Sequence, residues 1–222
     1  MINRLPKWIW FGGVILAFSA GIINSIAFLS FAQQAATHVT GIFTHLSMNI
    51  AYGNNNGTLI SFCILLSFFC GSVLSGLIIM DAQLKMGRRY GVALALECLL
   101  LIGSTYAFNE KSIWGEYLAC MAAGLQNAMV STYSGTLVRT THMTGVLTDF
   151  GALTGQWLRG IRVQGLKFKI LFGILLAFFW GGFAGVLLYS KIGYFAMLAP
   201  AAITGLSSLV YFWLRTHQKT TG

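Results

Sequence analysis

Apolar residues in this chain run in long unbroken blocks, separated by short polar links, rather than recurring at the three-to-four-residue spacing of a half-buried helix. Blocks at about 8–31, 59–80, 90–108, 113–133, one ending near 189, and 192–214 each match the roughly 20 residues a helix needs to cross about 30 Å of hydrocarbon. Two stretches, 37–52 and 139–157, are more polar and shorter. The links are recognisable: Gly53-Asn54-Asn55-Asn56-Gly57 reads as a turn, 81–89 is charged, Asn109 to Ser112 is polar, and 159–169 is basic. The amino end is positive and then apolar, as in a secretion signal. Its apolar run continues to Phe31 without a small-residue cleavage site, which predicts a first membrane span.

The order of blocks occurs twice. Ala20-Gly21-Ile22-Ile23-Asn24 is answered by Ala123-Gly124-Leu125-Gln126-Asn127, Thr37-His38-Val39-Thr40-Gly41 by Thr141-His142-Met143-Thr144-Gly145, and Phe68-Phe69-Cys70-Gly71 by Phe178-Phe179-Trp180-Gly181. Three landmarks in one order predict a single membrane domain of two structural repeats, 8–108 and 113–214, an architecture common among transporters.

Composition fits this reading. Of 222 residues 56% are hydrophobic and only 9% charged, with a mean hydropathy of +0.74, whereas a soluble surface needs about 25% charged residues. The fold class expected is all-α integral membrane protein, with lipid as its first partner. The net charge of +9 lies in the links, where Lys and Arg fix orientation, so it does not imply nucleic-acid binding. Cys63, Cys70, Cys98 and Cys120 sit in apolar blocks without a CxxC pair, as inert buried thiols do.

The same charges bear on topology. If all eight segments cross with the amino end inside, the inner side holds Arg4, Lys7, Lys111, Arg159, Arg162, Lys167, Lys169, Arg215 and Lys219, leaving Lys85, Arg88, Arg89, Arg139 and Lys191 outside. If 37–52 and 139–157 dip in and return, twelve of the fourteen basic residues are inside, and only Lys111 and Lys191 are outside. The positive-inside rule favours the second arrangement: six full spans, two re-entrant or broken helical segments, inverted repeats and both termini cytoplasmic. Eight spans with parallel repeats is the alternative.

The residues that repeat also carry a resemblance. Ala20-Gly21 with Asn24, the THVTG stretch, Ala123 to Asn127, and Val138-Arg139-Thr140-Thr141 running into THMTG resemble the YoaK-like family over nearly the whole chain. That resemblance implies a bacterial inner-membrane protein of about six spans and unknown function, and supplies no substrate. Asn24 stands where many members carry an acid, so a scheme using a carboxylate there does not transfer.

Candidate chemistry follows from what is costly in lipid. A Thr-His-x-Thr-Gly helix start has free N–H groups and a positive dipole end that suit a polar or anionic solute. Thr40, Gly41, Thr144 and Gly145 lead the candidate solute site, with Thr37, His38, Thr141 and His142 beside them, threonine being read as the helix cap. Asn24 and Asn127 occupy matching places inside the first block of each repeat. His45 and Asp149 occupy matching places after the histidines, and with Glu97 are candidate proton-coupling groups. Each set has an equally physical packing role, in which small residues bring helices together and hydroxyls bond to carbonyls. Gly181 and Gly185, with Ser72 and Gly76 as a looser counterpart, read as such contacts. No metal-ligand spacing or nucleophile motif is present, so no cofactor and no enzyme activity are expected. The leading reading is a small-solute transporter or channel, ahead of a structural or assembly protein and of an intramembrane enzyme, with homo-oligomerisation left open.

Overall fold

The computed structural model describes residues 7–31, 33–79, 88–133 and 139–219. Arg4, Lys85 and Val138, used in the sequence reading, lie outside the described residues. The described chain is all-helical: α1 (Lys7–Phe28), α2 (Val39–Ala51), α3 (Asn55–Ile78), α4 (Arg88–Asn109), α5 (Trp114–Tyr133), α6 (Met143–Leu158), α7 (Gly165–Ile192), a 3-10 turn (Gly193–Met197) and α8 (Leu198–Lys219). Four apolar helical stretches are long enough to cross a membrane: Trp10–Phe28, Asn55–Ile78, Arg89–Asn109 and Gly165–Trp213. The last contains both α7 and α8, which part at Gly193, where φ is +59°. Glycine adopts that conformation without penalty.

The outer surface is that of a membrane protein. Phe69, Leu77, Leu99, Phe179, Leu206 and Leu209 stand exposed on the long helices, where water would oppose them and hydrocarbon does not. Trp114, Trp157 and Trp213 are exposed near helix ends, the depth that indoles prefer. Helix α5 is not among the four apolar stretches because it carries Glu116, Gln126 and Asn127. It is shielded from lipid instead: Gly115, Glu116, Ala119, Cys120 and the whole run from Ala122 to Gln126 are buried.

Two close helix crossings organise the interior. A Cβ on Gly21 of α1 would collide with the Phe178 carbonyl of α7, and one on Gly181 with the Phe18 carbonyl of α1. Likewise a Cβ on Gly124 of α5 would meet the Phe68 carbonyl of α3, and one on Gly71 the Met121 carbonyl of α5. Backbones in such contact gain dispersion energy that no side chain could supply in lipid. Gly185 extends the first crossing, against Ser25 and Ile22. At the second crossing Gly71 and buried Ser75 occupy the corresponding places, and Ser72 donates to the Gly124 carbonyl at 3.2 Å. Gly76, expected there from the sequence, has nothing within 4 Å of its added Cβ, because it lies one residue off the contact face.

Contacts along these interfaces give the helix directions. On α1 and α7, Val14 meets Gly173, Phe18 meets Gly181, Ile22 meets Gly185 and the Leu29 carbonyl meets the Tyr189 hydroxyl, so the two run parallel. On α5 and α3, Tyr117 meets Cys63 and Met121 meets Gly71, again parallel. Helices α1 and α5 are antiparallel, since Leu16 meets Gln126 and Ser30 meets Glu116. Helix α4 opposes α5 through Ser104–Gly115 and Gly103–Leu118. It opposes α8 through Gly91–Ser208 and Cys98–Gly205. Thus α1, α4 and α7 point one way, and α3, α5 and α8 the other.

Candidate functional site

Helices α2 and α6 begin in the same way. His38 and His142 are the capping residues, with φ, ψ of −92°, 57° and −89°, 64°, and neither side chain makes a cap hydrogen bond. Each imidazole instead folds over the glycine three residues on: a Cβ at Gly41 would lie 2.6 Å from His38 Nδ1, and one at Gly145 would lie 2.8 Å from His142 Nε2. The glycine of each TG pair therefore makes room for the histidine two residues before its threonine. Thr40 and Thr144 are not caps. They are exposed at the second position of each helix, and their carbonyls accept from the Thr44 and Thr148 hydroxyls at 3.1 and 2.8 Å. Helix α2 packs on α3 and α6 on α7, and the two are not in contact with each other.

The loop before α2 is pinned. Asn24 Oδ1 accepts from the Thr37 amide at 3.1 Å and from its hydroxyl at 2.7 Å. Thr37 uses only that one oxygen, so an acid at the same place would serve as well. We expect Asn24→Leu to lower the unfolding free energy by about 1–3 kcal/mol by orphaning two donors, and Asn24→Asp to restore most of it, as read by thermal melts in detergent.

The loop before α6 is held differently. Gln126 Nε2 donates to the Leu16 carbonyl of α1 at 2.7 Å and lies 3.5 Å from Thr140 Oγ1. Thr140 and Thr141 are buried. Among the described residues Asn127 has no bond like that of Asn24: its Oδ1 is buried without a donor, and so is Gln126 Oε1. The bond to Leu16 fixes which end of the Gln126 amide faces α1, so its free oxygen is a real acceptor. Arg139 reaches over the start of α6, with Nη1 3.4 Å from a Cβ placed on Gly145. The Gln126 amide with its free oxygen, the helix N–H groups and a guanidinium thus lie around one loop, a mixed set of acceptor and donors.

The remaining candidates are dispersed. His45 is exposed on α2. Asp149 is exposed and lies 3.7 Å from Lys167 of α7 rather than near His45, a surface pair worth under about 1 kcal/mol. Glu97 is fully buried in α4, and neither carboxyl oxygen has a hydrogen-bond partner. Two residues not singled out in the sequence carry weight here: Gln126, quoted there only as part of the repeat, and Glu116. The latter is fully buried, accepts from Ser30 at 3.1 Å, and lies 3.7 Å from Cys120 Sγ. Its signal was available as an acid inside the apolar block 113–133.

Fold and surface together define an all-helical membrane protein. Residues 12–210 match a family model described as "Protein of unknown function (DUF1275)", and the chain belongs to that family. No curated protein and no solved structure matches it.

Proposed function

We propose that the protein passes a small polar or anionic solute across the bacterial inner membrane, between two inverted repeats, without covalent chemistry. Each repeat supplies three crossing helices and one re-entrant helix. The opposed directions of α1, α3 and α4 against α5, α7 and α8 support this arrangement. So does length: α2 has 13 residues and α6 has 16, which at 1.5 Å per residue reach about 20–24 Å, short of a 30 Å core. Arg89, Arg139, Arg159, Arg162, Lys167 and Lys169 then share the end that carries both termini, the cytoplasmic one by charge.

The observation that carries the solute site is the pair of buried amide oxygens on adjacent residues of α5, Gln126 Oε1 and Asn127 Oδ1, left without donors among the described residues, with the Gln126 amide reaching Thr140 in the loop before α6. Such atoms cost free energy unless something binds them. A solute bearing both N–H or O–H donors and an anionic group would meet them together with Arg139 and the amides of α6. In the first half, the Asn24–Thr37 bonds close the equivalent place, so the motif there serves as a clip and the second half supplies the binding groups.

The test is a thermal-shift screen of purified protein against small polar and anionic solutes. A ligand at 100 times its Kd stabilises by about 2.7 kcal/mol, several degrees for a chain of this size. The expected hit raises Tm of the parent protein and not of Asn127→Leu. A solute that stabilises both Asn127→Leu and Gln126→Leu as well as the parent would sink the site.

A further inference from the structure

We propose that the protein also carries protons, and that Glu97 and Glu116 are the two carriers, on a buried line that follows α4 from mid-membrane to the end facing away from the chain termini. The proposal rests on the transport reading for its purpose but not for its test. Both carboxyls are 0% exposed. Among the described residues Lys167 and Asp149 form an ion pair, and neither Glu97 nor Glu116 does. Glu97 has no donor at either oxygen. An ionised carboxyl there would have nothing to balance it, so at rest the group holds its proton as a neutral acid.

Among the described residues the groups facing the two acids carry no positive charge. Beside Glu97 are Cys98 on its own helix and, from α8, Thr204 and Gly205 against that thiol. Around Glu116 are Ser30 beyond the end of α1, Cys120 one turn along α5, and Tyr194 of the 3-10 turn. From α3, Cys63 reaches only Tyr117, the residue after Glu116. Structural acids in lipid are usually paired with a cation, and an unpaired one marks an ion path. Among the described residues no cluster of three or more His, Cys, Asp and Glu gathers at either acid, and a proton is the particle that a carboxyl binds and releases without further ligands.

The two acids are spaced for consecutive use. Ser104 of α4 is bonded to Gly115, next to Glu116, and Glu97 lies seven residues earlier on the same helix, roughly 10 Å deeper. Transfer over that distance passes through water admitted as the helices part. In each step one carboxylic O–H bond breaks as another forms, with water taking the proton at either end, so the interior gains no lasting charge. Phe108 stacks on Tyr194 at 4.9 Å, with Phe31 edge-on at 6.3 Å. These rings cover the Glu116 end and separate it from the medium.

The test uses the full chain in lipid nanodiscs, with a hydrophobic carbodiimide as probe. The reagent modifies only protonated carboxyls, and adducts are located by mass spectrometry across a pH series. Modification of both acids is expected, each falling about tenfold per pH unit above its own titration, with Glu97→Gln removing one adduct and leaving the other. In vesicles holding a pH dye, an imposed gradient should drive proton entry at least about tenfold faster with the parent protein than with Glu97→Gln. A structural role would leave proton entry equal in the parent protein and Glu97→Gln, and that result would overturn the proposal. Modification that does not vary with pH, its absence at both acids, or protection by sodium at fixed pH would overturn the proposal. Because no solute is present, these outcomes leave the thermal-shift result standing or falling by itself.

Discussion

Leucine at Gly124 or at Gly181 should leave almost no folded protein, and alanine at either should lower stability by about 1–3 kcal/mol, measured by unfolding in graded denaturing detergent. The reason is what the new Cβ meets. At Gly124 it is the Phe68 carbonyl and at Gly181 the Phe18 carbonyl, both backbone atoms that no rotamer change can move. Relief requires α3 to part from α5, or α1 from α7, and in lipid no hydrophobic effect draws them together again. Alanine is also the better helix former by about 1 kcal/mol, so the steric cost is partly masked, and the fair reference is a glycine in open space. Gly76 and Gly12 have nothing within 4 Å; alanine at either should be neutral or slightly stabilising. The two crossings share no residues, so the double alanine variant should lose close to the sum of the single losses. Equal losses at Gly76 and Gly124 would mean that the close crossings contribute nothing specific.

Those crossings mark where sequence reading succeeded and where it stopped. Block boundaries came close to the helices, as with 37–52 for α2 (Val39–Ala51) and 90–108 for α4 (Arg88–Asn109), because hydropathy reports burial in lipid directly. Gly181 and Gly185 are legible as contact residues, whereas Gly21, Gly71 and Gly124 show only as repeat landmarks, and no partner is legible: α1 packs most closely on α7, which is distant in sequence, and periodicity carries no information about pairing. At the TG motifs the sequence supplied the right residues with the roles exchanged. Threonine is the usual cap, so the pattern predicts it at the helix start. Histidine takes that position without a side-chain cap bond, and its imidazole folds over the glycine three residues on, which leaves space for it. Matching letters also concealed different states: Asn24 is bonded to Thr37 while Asn127 has a free oxygen, since loop position and not residue type decides which amide finds a partner. Glu116 leaves little trace in hydropathy, because one acid barely alters the mean over a twenty-residue window.

Sidedness offers the second large effect, because labelling is all or none. In a background without the four native thiols, a cysteine at Arg89 should react with a membrane-impermeant maleimide only from the cytoplasm, and one at Glu110 only from outside. Both side chains are exposed just beyond the apolar core, one at each end of α4, so reactivity is not limited by burial. The eight-span arrangement reverses both results, since an additional crossing before α4 inverts that helix. It leaves Arg159 and Lys191 unchanged, inside and outside respectively, because a second additional crossing at α6 restores the order. Arg159 and Lys191 therefore calibrate the assay, while Arg89 and Glu110 decide the question. The outcome also bears on the proton line. Glu116 sits at the Glu110 end of α4, so cytoplasmic labelling at Glu110 would turn its aromatic cover from an outer closure into an inner one. Outside labelling places Glu116 at the external mouth, where protons arrive down the gradient of a respiring cell, and Glu97 at the midplane, where the two halves meet.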